Sequence, residues 1–465
     1  MDPAGRLWED RSIYQKRVAR QAAAEHALVR SLDERRPLEG GEAEFLELRR
    51  FLGSLNEDTR VTVLADPYAR FWLHVGFALC GAVLRQEPIP ALATTLADEL
   101  ESEDARAILA AHLHQWKRLA LGAALLADAT VTFPTPLEVT LPIAIPGAAA
   151  SLVGDEPVRI LGARAGMVLT EGSSEARVES CPIARAAGLA LPLQPHGYAI
   201  PGLGWMPPAG RTTLAFQASQ VPLVEGGLEL VARTSPRVFE HVRSLIHWVA
   251  VNPTEANEDL NFVSYSELPG GFAFRGIPHA HVAAEMTIHE THHNRLFCLE
   301  EIEPILASDD LGAADDAAYY SPWREELRPL RGLFHAVYVY IPQTRFWVNV
   351  LRKREGDDVT LEYAKDVLVR YPLMLEIGIQ QLERFARFTP SGEVYFRQLV
   401  ADVAALQHDV RALGVPHDRP ALRIGGRTGE VHPSLLVEGS ANPTSRDVVR
   451  EHIRLYDTHH QIPAA

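Results

Sequence analysis

His289, Glu290, Thr291, His292 and His293 spell HExxH, and the spacing is what gives these residue types a chemistry. On an α-helix, side chains at i and i+4 project from one face, so the imidazoles of His289 and His293 can grip a single metal ion. Glu290 stands where a general base activates a metal-bound water when such a site cleaves peptides. The pattern is short enough to arise by chance in a chain with 19 histidines, so its setting must carry the rest. HAHVAAEMTIHETHHNRLFCLEEIE starts just past Pro278 and ends near Pro304, which predicts one long helix punctuated at both ends. Glu285, one turn before His289, shares its stripe and is placed to accept the outward N–H of a ligating imidazole. His281 and His292 flank the stripe and read as packing or surface histidines.

Two imidazoles need a third protein ligand. A Gly three residues and a His six residues beyond His293 would supply it, but those positions hold Leu296 and Leu299. Glu300, Glu301 and Glu303 follow too closely on the same helix to fold back on the metal, and Glu325 and Glu326 sit in a polar segment. His335, in SPWREELRPLRGLFHAVYVYIPQTRFW, follows a loop and stands on an otherwise apolar helix. A two-histidine site short of a ligand makes it the candidate, with Arg331 and Tyr338 sharing its face. Arg324 and Arg328 come just before it, and guanidinium forks suit a carboxylate held beside a metal. Such a donor set is compatible with zinc hydrolysis or with non-haem iron and dioxygen.

The elements that must position these residues divide the chain into four stretches. Residues 1–130 read as an N-terminal helical region, since Ala43 to Leu55 and Ala105 to Ala127 space apolar residues three and four apart. Residues 131–220 form a β-rich middle region of short β-branched runs cut by Pro and Gly. Residues 221–413 are a helical catalytic region carrying HExxH, and 414–465 a Gly- and Pro-rich C-terminal tail. Within the third stretch a helix begins at Ser235 as N-cap with Pro236 in its first turn and runs through Val251. NFVSYSELPGGFAFRGIP then reads as a hairpin whose edge offers a place for a peptide strand. Further helices are expected over Arg331 to Trp347, Tyr363 to Phe388 and Glu393 to Leu413. The fold class is α+β, predominantly helical, with the metal site on the HExxH helix.

Composition narrows the partners. Sixty acidic residues against 45 Lys and Arg give a net charge of −15, the wrong sign for phosphate backbones, so no nucleic acid is expected. Cys80, Cys181 and Cys298 form no CxxC pair and read as reduced, buried thiols. MDPAGRLWEDRSIYQKRVARQ is charged and lacks an apolar stretch, and the run from Phe71 to Leu84 is too short to span a bilayer. A cytoplasmic chain without a membrane segment is the expectation, and a homodimer is compatible with it. No histidine is followed two positions later by Asp or Glu, so the HxD or HxE dyad of jelly-roll oxygenases is missing and a jelly-roll is disfavoured.

NFVSYSELPGGFAF and IHETHHNRL, followed by SPWREELRPLRGLFHAVYVY and RFW, together resemble the HExxH-type 2-oxoglutarate-dependent peptide β-hydroxylases, a family associated with ribosomally made, modified peptides. The likeness covers roughly residues 220 to 400. It implies a dioxygenase using Fe(II), 2-oxoglutarate and O2 to hydroxylate the β-carbon of a residue in a precursor peptide, with succinate and carbon dioxide as co-products. By position, His289, His293 and His335 would be the metal ligands and Arg324 and Arg328 the residues that bind 2-oxoglutarate. Glu290 would then orient ligands or handle protons. Two competing expectations remain: a zinc metallopeptidase with Glu290 as general base, and a peptide-binding scaffold with a vestigial motif.

Overall fold

One mixed sheet separates two hydrophobic cores, and the metal-motif helix lies in the larger of them. The computed structural model describes residues 42–66, 68–69, 72, 75–76, 79, 105–139, 143–154, 158–172, 176–194, 214–252, 262–264, 270–275, 277–307, 319–323 and 326–415. Its helices are α1 (Glu42–Ser54), α2 (Glu57–Ala65), α3 (Ala105–His114), α4 (Trp116–Leu126), α5 (Leu214–Thr234), α6 (Pro236–Leu245), α7 (Ala280–Ile302), α8 (Leu330–Lys353), α9 (Asp358–Phe385) and α10 (Pro390–Leu413). The strands are β1 (Val131–Val139), β2 (Ile143–Ala144), β3 (Ala150–Val153), β4 (Val158–Arg164), β5 (Met167–Thr170), β6 (Arg177–Ser180), β7 (Ile183–Ala186), β8 (Leu189–Gln194), β9 (Trp248–Asn252), β10 (Phe262–Val263), β11 (Gly271–Arg275), β12 (Tyr319–Ser321) and β13 (Glu326–Arg328). The protein is therefore α+β and mostly helical, as its sequence predicts. No helix among the described residues is long and apolar enough to cross a membrane. The tail is described only to residue 415.

The separating sheet runs β10-β11-β9-β8-β7, with β9 parallel to both β8 and β11 and the two outer pairs antiparallel. A parallel pair needs a crossover, and α5 and α6 lie between β8 and β9 in the chain. Alternate residues face opposite cores. Trp248, Ala250 and Ala273 join Trp72, Leu119 and Ile160 on the N-terminal side, whereas Val249, Phe272 and Phe274 join α5, α7, α8 and α9. Gly271 lies opposite Trp248 in register, and a Cβ there would meet the indole at 2.5 Å, so only glycine lets that ring lie across β11.

Three expectations change here. The helix from Pro236 ends at Leu245, and the run expected to continue it to Val251 is strand β9. A short apolar run with both faces buried has no period that separates helix from strand, and β9 has parallel neighbours on each side. Ser235 does precede this helix, but its hydroxyl makes no cap bond and instead receives Asn349 Nδ2 at 3.3 Å. The expected hairpin forms as β10 and β11, yet β11 is covered by β9, leaving β10 as the edge on that side.

α7 packs against α5, α8 and α6 and is buried round most of its circumference. Gly226 and Gly227 bring α5 close: a Cβ on Gly227 would meet Ala284 N at 2.7 Å and Ala280 O at 2.8 Å. At the start of α9, Asp357 accepts from Thr360 N at 2.8 Å and from its hydroxyl at 2.6 Å, and that hydroxyl in turn receives His281 Nδ1 at 3.2 Å. Asn294 ties the other side of α7 to the hairpin, accepting from Gly270 N at 2.6 Å and donating to Gly271 O at 3.2 Å.

Gly227→Ala is expected to destabilise the fold by about 2 kcal/mol, because backbone atoms of α7 block the new methyl. Gly53→Ala, with nothing within 4 Å, should be neutral or stabilise by up to about 1 kcal/mol; denaturant melts giving equal effects would contradict the close approach. Burial lowers His112 and His281 from 6.5 to about 4, with the His279 charge adding at His281 and Asp357 opposing. Both are neutral when folded, so the unfolded chain takes up protons first and stability falls as pH drops from 6.5 towards 4. His112→Asn should remove about one proton from that slope, a difference measured by melts across the window; identical slopes would refute it.

Candidate metal centre

The two HExxH imidazoles meet edge to face, His289 Nε2 lying 3.1 Å from His293 Nε2. His335 reaches them from α8, its Nδ1 3.4 Å from His293 Nδ1. The structure thus brings together the three histidines expected as ligands. His335 is 7% exposed, and His289 and His293 are half-buried.

The outward nitrogens are held by other side chains, which fixes the tautomers. Gln343 Nε2 donates to Glu285 O at 3.4 Å, so its Oε1 faces His289 Nδ1 at 3.0 Å and accepts that proton. His289 is left with a lone pair on Nε2, pointing at His293. At the other end His335 Nε2 donates to both carboxylate oxygens of Glu300 at 3.1 Å. Arg331 grips the same carboxylate through Nη2 at 2.5 Å and Nε at 3.3 Å. Burial works against a charge on Glu300, but His335 and Arg331 outweigh it and hold the carboxyl down at about 2.

Glu300 was expected to lie too near His293 to serve as a ligand, and its carboxylate is turned to His335 and Arg331. It lies two turns beyond His293 on the same stripe, and that spacing is the signal that could have identified it as the partner of His335. Glu285 differs from expectation. It is fully buried and accepts from Tyr363 Oη and Tyr371 Oη at 2.6 Å and Trp347 Nε1 at 3.1 Å, while Gln343 takes the place beside His289. Burial raises the Glu285 pKa, against those three hydrogen bonds and the Arg370 charge.

Burial, then the His289, His335, His292 and Arg328 charges, hold His293 well below the usual histidine value. A neutral imidazole is the form that binds metal. Arg328 is partly buried, its guanidinium lying over Gly332 at the start of α8, and its charge is the smallest of those lowering His293. Arg324 lies outside the described residues. Glu290 is 2% exposed, and its carbonyl accepts from Asn294 Nδ2 at 2.9 Å. His281 and His292 pack as expected: His292 Nδ1 donates to Ile288 O at 2.7 Å, and its Nε2 faces His241 Nδ1 at 3.3 Å. Phe297 covers His293 and His335, with ring centroids 5.9 and 5.4 Å away, and Tyr340 stands edge-on to His289 at 5.4 Å.

Two nitrogens bound to one ion at about 2.1 Å stand roughly 3.0–3.4 Å apart, so both imidazole contacts have the right span. His293 meets its neighbours through different nitrogens, however, and the three donors do not converge on one point. Among the described residues no group of three or more His, Cys, Asp or Glu stands ready for a metal. The donor chemistry, three imidazoles with two outward nitrogens already bonded, suits a divalent transition metal. No protein-family profile matches the chain, and no curated protein matches it significantly.

Gln343→Leu and Glu300→Gln should each weaken metal binding by roughly 10–100-fold, the usual penalty for loosening a residue that orients a ligand. Competition of the metal-free variants with a chromophoric chelator measures this. Affinities equal to that of the unaltered protein would show that neither side chain orients an imidazole.

Proposed function

We infer that this chain is an iron(II)- and 2-oxoglutarate-dependent dioxygenase that hydroxylates the β-carbon of a residue in a ribosomally made precursor peptide. The observation that carries this reading is the meeting of His289, His293 and His335 from two helices. Three imidazole donors leave positions free for a bidentate oxo acid and for dioxygen. Iron(II) bound there, with 2-oxoglutarate and dioxygen, supplies the oxidising power for C–H hydroxylation, and 2-oxoglutarate leaves as succinate and carbon dioxide.

The protein's own work is to hold and to exclude. His289, His293 and His335 provide the donor nitrogens, while Gln343 and Glu300 keep two of them aimed. Arg328 binds the distal carboxylate of the oxo acid through charge-assisted hydrogen bonds; Arg324, on the same segment, is the other candidate. Phe297 and Tyr340 keep water from the flanks of the cluster. Glu290, buried on the same helix, serves as a proton-handling or orienting carboxyl. The resemblance to the peptide β-hydroxylases, from residues 220 to 400, supplies the substrate class, and a cytoplasmic setting accords with an intracellular precursor.

Iron(II) added anaerobically to metal-free protein, followed by 2-oxoglutarate, should give a weak visible charge-transfer band that requires both and disappears in His289→Ala. Titrating that band should show 2-oxoglutarate binding roughly 10–100-fold more weakly in Arg328→Gln, the range for losing hydrogen bonds to a charged group, and little changed in Arg324→Gln. Absence of the band, together with zinc-dependent cleavage of a casein-like substrate that Glu290→Gln abolishes, would replace the dioxygenase with a peptidase.

A further inference from the structure

Oxidisable rings lead away from His289 without a break. Tyr340 is 5.4 Å from the His289 ring by centroid, and Tyr371 lies a further 4.8 Å on, edge to face. Tyr371 and Tyr363 each donate a phenolic proton to Glu285 at 2.6 Å, Trp347 donates to the same carboxylate at 3.1 Å, and the Trp347 and Tyr363 rings are 5.0 Å apart. Trp347 is fully buried, and both tyrosines are 8% exposed. Pinning α7 to α8 and α9 asks only for donors to Glu285. It does not ask that every donor be readily oxidised, nor that Tyr340 join them to a candidate metal ligand. A phenol gives up an electron easily only when its proton can leave with it, and a carboxylate accepting three hydrogen bonds is a base already in contact.

We propose that Tyr340, Tyr371, Tyr363 and Trp347 form a protective electron path that drains oxidising equivalents from the histidine cluster when dioxygen is activated without a peptide in place. The role rests on the metal reading above; the path itself does not. In each event one electron passes from Tyr371 through Tyr340 to the oxidised metal site, which is reduced by one electron. The Tyr371 O–H bond breaks, and its proton forms an O–H bond on Glu285. The neutral phenoxyl, or its Tyr363 counterpart, is later reduced by one electron from a small-molecule thiol or enediol, and the proton returns from Glu285.

The first measurement uses metal-free full-length protein and a soluble, photogenerated ruthenium(III) tris-bipyridyl oxidant, with radicals read by electron paramagnetic resonance. A tyrosyl signal assigned to the buried pair by its loss in the Tyr363→Phe/Tyr371→Phe double variant, and diminished in Tyr340→Phe, is expected. No signal from that pair would overturn the path whatever iron does. The second loads iron(II) and 2-oxoglutarate, admits air without peptide, and maps oxidised residues by mass spectrometry. Tyr340→Phe should show several-fold more oxidation of His289 and His293 at unchanged melting temperature and metal affinity; equal oxidation overturns the protective role. A radical in the first measurement without 2-oxoglutarate-dependent oxidation in the second would uphold the path and defeat the dioxygenase reading.

Discussion

A helix buried round most of its circumference needs partners for the polar side chains it carries inward, and that constraint on α7 organises the rest of the protein. An unsatisfied buried polar group costs about 1–3 kcal/mol, yet α7 carries Glu285, Glu290, His292, Asn294 and Arg295 into the core. Each neighbouring element supplies an answer. α9 offers Tyr363 and Tyr371 to Glu285, α8 offers Gln343 to His289 and His335 to His293, and the β11 turn offers its backbone to Asn294. Arg295 donates to Tyr338, again on α8. The position of α8 is therefore set by polar pairing as much as by the apolar contacts of Leu333, Val337 and Phe346, and that position brings the third imidazole to the other two.

The separating sheet does a second job. Because β9 and β11 bury side chains on both faces, the N-terminal core and the helical core share strands. Trp248 and Ala273 sit in the N-terminal core, and the turn before β11 is tied by the Gly270–Asn294 hydrogen bond to the helix that carries HExxH.

How much of this was legible depended on whether the determinant was local. The long helix between Pro278 and Pro304 was readable from its punctuation, and Pro329 marks the start of α8 just as plainly. His335 emerged by elimination, a lone histidine on an apolar helix when a ligand was wanting. Glu285 was placed on the correct stripe but given the wrong partner, since its three donors come from α8 and α9, far along the chain, and no periodicity encodes which neighbour a buried carboxylate will meet. Gln343 was missed for the same reason: a glutamine two turns past His335 says nothing by itself. β9 was misread because Trp248 to Asn252 is apolar on alternate faces that are both buried, so the period-two signal vanished. Arg328 was legible as a candidate from its place just before α8 in the segment that carries His335.

Everything functional turns on whether three imidazoles from two helices share one metal. The most direct measurement is X-ray absorption at the iron edge of the iron(II)-loaded protein and of its His335→Ala variant. Scattering from three imidazole rings in the unaltered protein, falling to two in the variant, is the expected result. Two rings in both, with the rest of the coordination unchanged, would remove His335 from the metal and with it the site described here.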